Sequence, residues 1–184
     1  MVVIETAVTV PVSTFSYNPQ VYFEVGKIVH RIKIHQGKVA ALNVDAIVNP
    51  LLFDSPLVDK KVHHQAADKG YLIGEVRIVP ASAERLSPVI EVIGPQWRGG
   101  EYQEEELLAV CYRRAMDMAK QQNYRTIAFA PINAGARGFP ANRATKIAVQ
   151  QVDSALRQNP LMESVIFCCA DPVTTALYRS QVGR

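Results

Sequence analysis

Cysteine, tryptophan and long apolar runs are scarce in this sequence, and each scarcity excludes a class of protein. Among 184 residues there are three cysteines and one tryptophan. Cys111, Cys168 and Cys169 lack the spacing of metal ligands, so neither a metal nor another cofactor is indicated, and we predict buried, reduced thiols. No apolar run is long enough to span a membrane. The residues after Met1 lack the basic start of a secretion signal, so we predict a cytoplasmic protein without a membrane partner.

An excess of charge of either sign is also missing. The chain has 20 Lys and Arg against 17 Asp and Glu, a net charge of +3. It carries no basic stripe, so nucleic acid is not indicated as a partner. It does have 48% hydrophobic residues, enough for one domain with a sizeable core. Thr, Val and Pro are prominent in residues 1–18, and we predict that residues 1–25 form an extended arm or extra strand beside a domain of residues 26–184.

Short apolar runs alternate with segments of helical periodicity along the second half of the chain. The predicted strands are residues 21–25, 28–34, 44–49, 74–79, 89–93, 127–129 and 164–169. The predicted helices are residues 58–68, 104–122 and 141–156, and a last helix has Asp171 as its N-cap and Pro172 at its first position. Pro50 is expected to end the strand at residues 44–49.

This alternation predicts an α/β fold, a three-layer α/β/α sandwich with a mixed, largely parallel central sheet. The first two strands are expected to pair as a hairpin through Gly26 and Lys27. The predicted core includes Ile47, Val48, Leu108, Ile127, Phe129, Ile147 and Phe167.

The segment from Ile127 to Pro140 carries the clearest functional pattern. A short apolar strand leads into a loop with Gly135 and Gly138, and a helix follows. Backbone N–H groups that converge near the positive end of a helix favour an anion, most often phosphate. Ligands of parallel sheets bind beyond the carboxyl ends of strands, and both this loop and Asn49 lie there. The alternative is an ordinary strand-to-helix connection without a ligand.

Four blocks of the sequence, in order and at suitable spacing, resemble the macro domain family, an ADP-ribose-binding module. The resemblance covers roughly residues 30–180. The blocks are residues 34–37 with 44–49, residues 89–97, residues 107–112 and residues 127–140. The resemblance implies the fold predicted above and a ligand site for ADP-ribose or another phosphorylated small molecule. It implies that the ligand-binding residues are Lys38, Asn49, Asn133, Ala134, Gly135, Ala136, Arg137, Gly138 and Phe139.

Several positions depart from the family's pattern. Lys38 stands where the family usually has an Asp that accepts a hydrogen bond from the adenine amino group, and an ammonium has donors only. Leu52 stands at the second Asn of hydrolytic members, and the glycine run that wraps the distal ribose is absent. Arg137 replaces an aromatic residue at the distal ribose and offers a bidentate fork to phosphate or carboxylate.

These departures favour binding without turnover. No catalytic residue is assigned, because the groups that handle the distal ribose in hydrolytic relatives are missing. Two alternatives remain open. The first is an enzyme, an ADP-ribosyl hydrolase or an ADP-ribose-1''-phosphate phosphatase, with Asp59 as its candidate acid. The second is a domain whose ligand site has decayed and which binds a protein partner.

Overall fold

A computed structural model of the chain describes residues 31–51, 73–83, 86–132 and 138–183. Its strands are β1 (Ile32–Gln36), β2 (Ala46–Leu51), β3 (Val76–Val79), β4 (Val89–Ile93), β5 (Thr126–Phe129) and β6 (Ser164–Cys169). Its helices are α1 (Glu104–Gln121), α2 (Ala141–Gln158) and α3 (Pro172–Val182), and a 3-10 turn covers Val39–Ala41. Along these residues no helix is both long and apolar enough to cross a membrane.

The six strands form one mixed sheet in the order β1-β6-β5-β2-β4-β3. Every neighbouring pair is parallel except β3 with β4, which is antiparallel. The predicted α/β fold with a largely parallel sheet is therefore confirmed. Because β1, β6, β5 and β2 run in the same direction, their carboxyl ends lie at a single edge of the sheet.

Three helices cover one face of this sheet. Four large rings fill the space beneath them: Tyr112 from α1, Phe129 from β5, Phe167 from β6 and Tyr178 from α3. The ring centroids of Phe167 and Tyr178 are 4.4 Å apart, and those of Tyr112 and Phe129 are 5.2 Å apart. Burying a side chain of this kind stabilises the fold by about 1.5–3 kcal/mol.

On the opposite face of the sheet, residues of the central strands are also buried. A second, smaller cluster of buried residues lies there: Val44, Ile47, Val89 and Ala128. Of the seven predicted core residues, six are buried, and Ile147 is half-buried at the edge of the larger cluster. The three cysteines are buried and free, as predicted.

Most predicted element boundaries agree closely with the structure. The bounds of β4 and β6 match the prediction, α1 ends one residue earlier, and α2 runs two residues further. Strand β1 begins later and ends later than predicted, at Ile32 and Gln36. The predicted strand at residues 21–25, its hairpin, the arm at residues 1–25 and the helix at residues 58–68 lie outside the described residues.

The prediction that Pro50 ends its strand is wrong, because β2 continues through Pro50 to Leu51. The Val48 carbonyl accepts from the Ala130 N–H at 2.9 Å, so the backbone hydrogen-bonding groups of Val48 point toward β5. The backbone groups of alternate residues in a strand point toward the same neighbouring strand, so those of Pro50 also point toward β5. The pairing with β5 ends at Val48 and Phe129, so the missing N–H of Pro50 costs no bond there.

Candidate functional site

A cleft of about 420 Å³ lies at the edge where β1, β5 and β6 end. Its volume is within the range of small-molecule sites, about 300–1,000 Å³, and its position is where parallel sheets bind ligands. From the β1 side it is lined by Gly37, Lys38, Val39 and Ala40. From the β5 and β6 side it is lined by Ala130, Pro131, Cys168, Ala170, Asp171 and Thr174.

The turn after β1 forms the first wall of the cleft. The Gly37 N–H donates to the Cys169 carbonyl at 2.9 Å, and the Cys168 Sγ donates to the Gly37 carbonyl at 3.3 Å. These two bonds fix the backbone just before Lys38, which precedes the 3-10 turn in an extended conformation. The Lys38 side chain is exposed. The structure thus brings Lys38 to the cleft, where the sequence predicted a ligand contact.

The start of α3 forms the second wall. The Asp171 Oδ1 accepts from the Thr174 N–H at 2.8 Å, the N-cap predicted from the sequence. This hydrogen bond holds the pKa of Asp171 below its usual value, so the carboxylate is charged at neutral pH. The side chain is exposed. Sequence analysis predicted the cap but not a place in the site, although Asp171 follows β6 by two residues, at the carboxyl end of a parallel strand.

The floor of the cleft is apolar. Val39, Ala130, Pro131 and Ala170 contribute short side chains and no charge. Cys168 is 4% exposed, and burial raises the pKa of its thiol, so it is neutral and poorly nucleophilic. The floor therefore suits a flat apolar group, and the polar recognition comes from the two walls.

The loop predicted to bind phosphate is anchored at both of its ends. Asn133, Ala134, Gly135, Ala136 and Arg137 lie outside the described residues. Immediately before them, the Ile132 N–H donates to the Tyr112 hydroxyl at 3.1 Å, and the hydroxyls of Tyr112 and Tyr178 are 3.3 Å apart. Both tyrosines are buried, and burial raises the pKa of each. The hydroxyls are therefore neutral, and Tyr112 holds the start of the loop against the core.

At the other end of the loop, Gly138 has a φ of 67°, in the left-handed region that favours glycine. Phe139 follows it, and its ring packs on Trp97 at a centroid distance of 4.7 Å. Phe139 is only 3% exposed, so its ring offers little surface to a ligand.

A buried carboxylate fixes the segment that carries Trp97. Glu104 is 2% exposed and accepts from the backbone N–H groups of Arg98 at 2.8 Å, Gly100 at 3.1 Å and Tyr102 at 2.7 Å. Burial alone would raise the pKa of Glu104, but these donors lower it below its usual value. Sequence analysis predicted a helix from residue 104 but not this role of Glu104. The sequence signal for this turn is the pair of glycines at positions 99 and 100, the second of which lies four residues before Glu104.

Asn49 lies in a separate part of the same edge. It is half-buried near the end of β2 and pairs across the ladder with Glu91. Strand β5 lies between β2 and β6, and Asn49 does not line the 420 Å³ cleft. The structure therefore groups Lys38 with Asp171 and leaves Asn49 on the far side of β5. In the described ranges no cluster of three or more His, Cys, Asp or Glu residues is arranged to hold a metal ion.

Comparisons with a family model, with relatives and with solved structures agree. The family model described as Macro domain matches residues 55–148. A macro domain-containing protein of Mesorhizobium japonicum is 36% identical over 171 residues, which cover 86% of this chain and 97% of that protein. A Salmonella newport protein named O-acetyl-ADP-ribose deacetylase is 37% identical over 164 residues, covering 80% of this chain and 92% of that protein. Among solved structures, the Oceanobacillus iheyensis macrodomain with ADP has a TM-score of 0.69 at 25% identity, covering 83% of this chain and 90% of that chain.

Proposed function

Since this chain belongs to the macro domain family, we propose that it binds ADP-ribose or a related phosphorylated nucleotide without turning it over. The cleft at the carboxyl ends of β1, β5 and β6 carries the proposal. Its apolar floor suits a base, and residues 133–137 begin just beyond Ile132, which follows Pro131 of that floor. A base in the cleft and a phosphate at that loop are then adjacent along one ligand.

The anion contribution rests on Arg137 and on the backbone of its loop. A charge-assisted hydrogen bond is worth about 1.5–3 kcal/mol, so Arg137→Ala should lower the affinity for ADP-ribose and for ADP by about tenfold or more. Isothermal titration calorimetry measures this change. Arg157→Ala is the matched control, because Arg157 lies on an exposed part of α2 and pairs with Asp153, and its removal should leave the affinity unchanged.

A screen of melting temperature against ADP-ribose, ADP, AMP and inorganic phosphate tests the proposal as a whole. We expect the phosphorylated ligands to raise the melting temperature, because a ligand that binds only the folded state stabilises it. If none of them shifts the melting temperature and calorimetry detects no heat of binding, nucleotide binding is wrong. The partner-binding alternative then takes its place.

The enzyme alternative is supported by relatives named O-acetyl-ADP-ribose deacetylase, among them the Salmonella newport protein. Against it stands the sequence itself, in which Leu52 supplies no polar contact at the second Asn of hydrolytic members. Hydrolysis needs the ribose and its attacking water held in near-attack geometry.

We therefore expect no product above background when O-acetyl-ADP-ribose or a mono-ADP-ribosylated protein is incubated with this protein and analysed by mass spectrometry. The Asp59→Ala variant separates true turnover from contamination, and Asp59 lies outside the described residues. Turnover that survives repeated purification and disappears in Asp59→Ala would establish the enzyme alternative.

A further inference from the structure

The cleft brings together two opposite charges that do not neutralise each other. Lys38 extends from the turn after β1, and Asp171 extends from the start of α3, on the other wall. Both side chains are exposed, and within residues 31–51 and 138–183 no ion pair joins them. A ligand in the cleft therefore meets a cluster of donors on one side and an acceptor on the other.

The Asp171 carboxylate retains capacity for a ligand. It accepts from the Thr174 N–H and from the Thr174 side chain, whereas an ionised carboxylate has about four acceptor positions. The Lys38 ammonium has three donors and no acceptor. The two walls together thus complement a group that has an acceptor beside one or more donors.

Purine bases differ in how well they match this arrangement. The pairing edge of guanine presents one acceptor, O6, followed by two donors, N1–H and the N2 amino group. The edge of adenine presents one donor, the N6 amino group, and one acceptor, N1. An ammonium and a carboxylate can therefore form three charge-assisted hydrogen bonds with guanine and two with adenine. Hypoxanthine has the oxygen and N1–H of guanine without its N2 amino group.

We propose that Lys38 and Asp171 together make this cleft selective for guanine nucleotides over adenine nucleotides. Lys38 donates to O6 and Asp171 accepts from N1–H and from the N2 amino group. The proposal rests on the proposed nucleotide binding and names the base that the site prefers.

The test is calorimetric titration of the full chain with GDP, IDP and ADP. These ligands share the diphosphate and ribose and differ only in the base. We expect GDP to bind about tenfold or more tightly than ADP, because one additional charge-assisted bond is worth at least that factor. IDP should bind more weakly than GDP and close to ADP, since without the N2 donor it forms two such bonds, as ADP does. Equal affinity for GDP and ADP, or tighter binding of ADP, overturns the base preference.

Two variants identify the residues responsible. Asp171→Asn keeps an oxygen to cap α3 at the Thr174 N–H and turns an amino group toward the cleft. The affinity for GDP should therefore fall about tenfold or more, and the affinity for ADP should fall less. Lys38→Met keeps the length of the side chain and removes its donors, and it should lower the affinity for GDP and IDP. Asp153→Asn on α2 is the matched control, and circular dichroism verifies the fold of each variant.

The outcomes separate this inference from the proposed function. Binding of ADP-ribose and ADP without a preference for GDP overturns the inference alone. An equal loss of GDP and ADP in Asp171→Asn also overturns it, because a purely structural effect on α3 does not distinguish bases. If ADP-ribose, ADP, GDP and phosphate all fail to bind, both the inference and the nucleotide-binding function are wrong.

Discussion

At the scale of single residues, Tyr112 connects the core to Ile132, the residue that precedes the loop predicted to bind phosphate. Its hydroxyl accepts from the Ile132 N–H at 3.1 Å and lies 3.3 Å from the Tyr178 hydroxyl. Both tyrosines are fully buried, so neither hydroxyl can exchange its partner for water. The consequence is that one phenol both stabilises the fold and sets the position at which the loop leaves the sheet.

Tyr112→Phe should therefore destabilise the protein and lower its affinity for ligand. The variant leaves a buried N–H and a buried hydroxyl without their partner, which costs about 1–3 kcal/mol. Urea denaturation measures the free energy of unfolding, and titration with ADP-ribose measures the affinity. Tyr102→Phe is the control, because Tyr102 is 60% exposed. Equal stability of wild type and Tyr112→Phe would show that this hydroxyl pair is not an anchor.

At the scale of elements, the end of α2 is fixed by a residue from outside the helix. The Arg31 guanidinium donates to the carbonyls of Leu156 at 2.7 Å, Asn159 at 3.1 Å and Met162 at 2.8 Å. The last carbonyls of a helix have no partner within it, and a cation there complements the helix dipole. Since Arg31 directly precedes β1, this contact also joins α2 to the edge of the sheet.

Arg31→Gln should lower the free energy of unfolding by about 2 kcal/mol, because hydrogen bonds from a charged donor contribute about 1.5–3 kcal/mol. Chemical denaturation followed by circular dichroism measures the change. Arg157→Gln on the exposed side of the same helix should cost less than about 1 kcal/mol, as expected for a surface ion pair. A loss for Arg31→Gln no larger than that of the control would contradict the capping role.

At the scale of the whole molecule, features set by neighbouring residues could be predicted from the sequence, and features set by contacts between distant residues could not. The bounds of β6 and the Asp171 cap were predicted correctly, because an apolar run and an N-cap each depend on residues that are adjacent in the sequence. Pro50 was misjudged because its cost depends on where β5 ends, and β5 lies far along the chain. That Lys38 and Asp171 line one cleft was not predicted either, because the two residues are far apart in the sequence.

The position of β1 beside β6 also bears on when the cleft comes into existence. The Cys168 Sγ and the Gly37 carbonyl that it contacts are 131 residues apart in the sequence. During synthesis, the first wall therefore leaves the ribosome long before the second wall has been made. Contacts of such long sequence separation close late and slow folding. If the cleft binds nucleotide as proposed, a nascent chain gains that site only once β6 and the start of α3 have emerged, so ligand can favour the native state only late in synthesis.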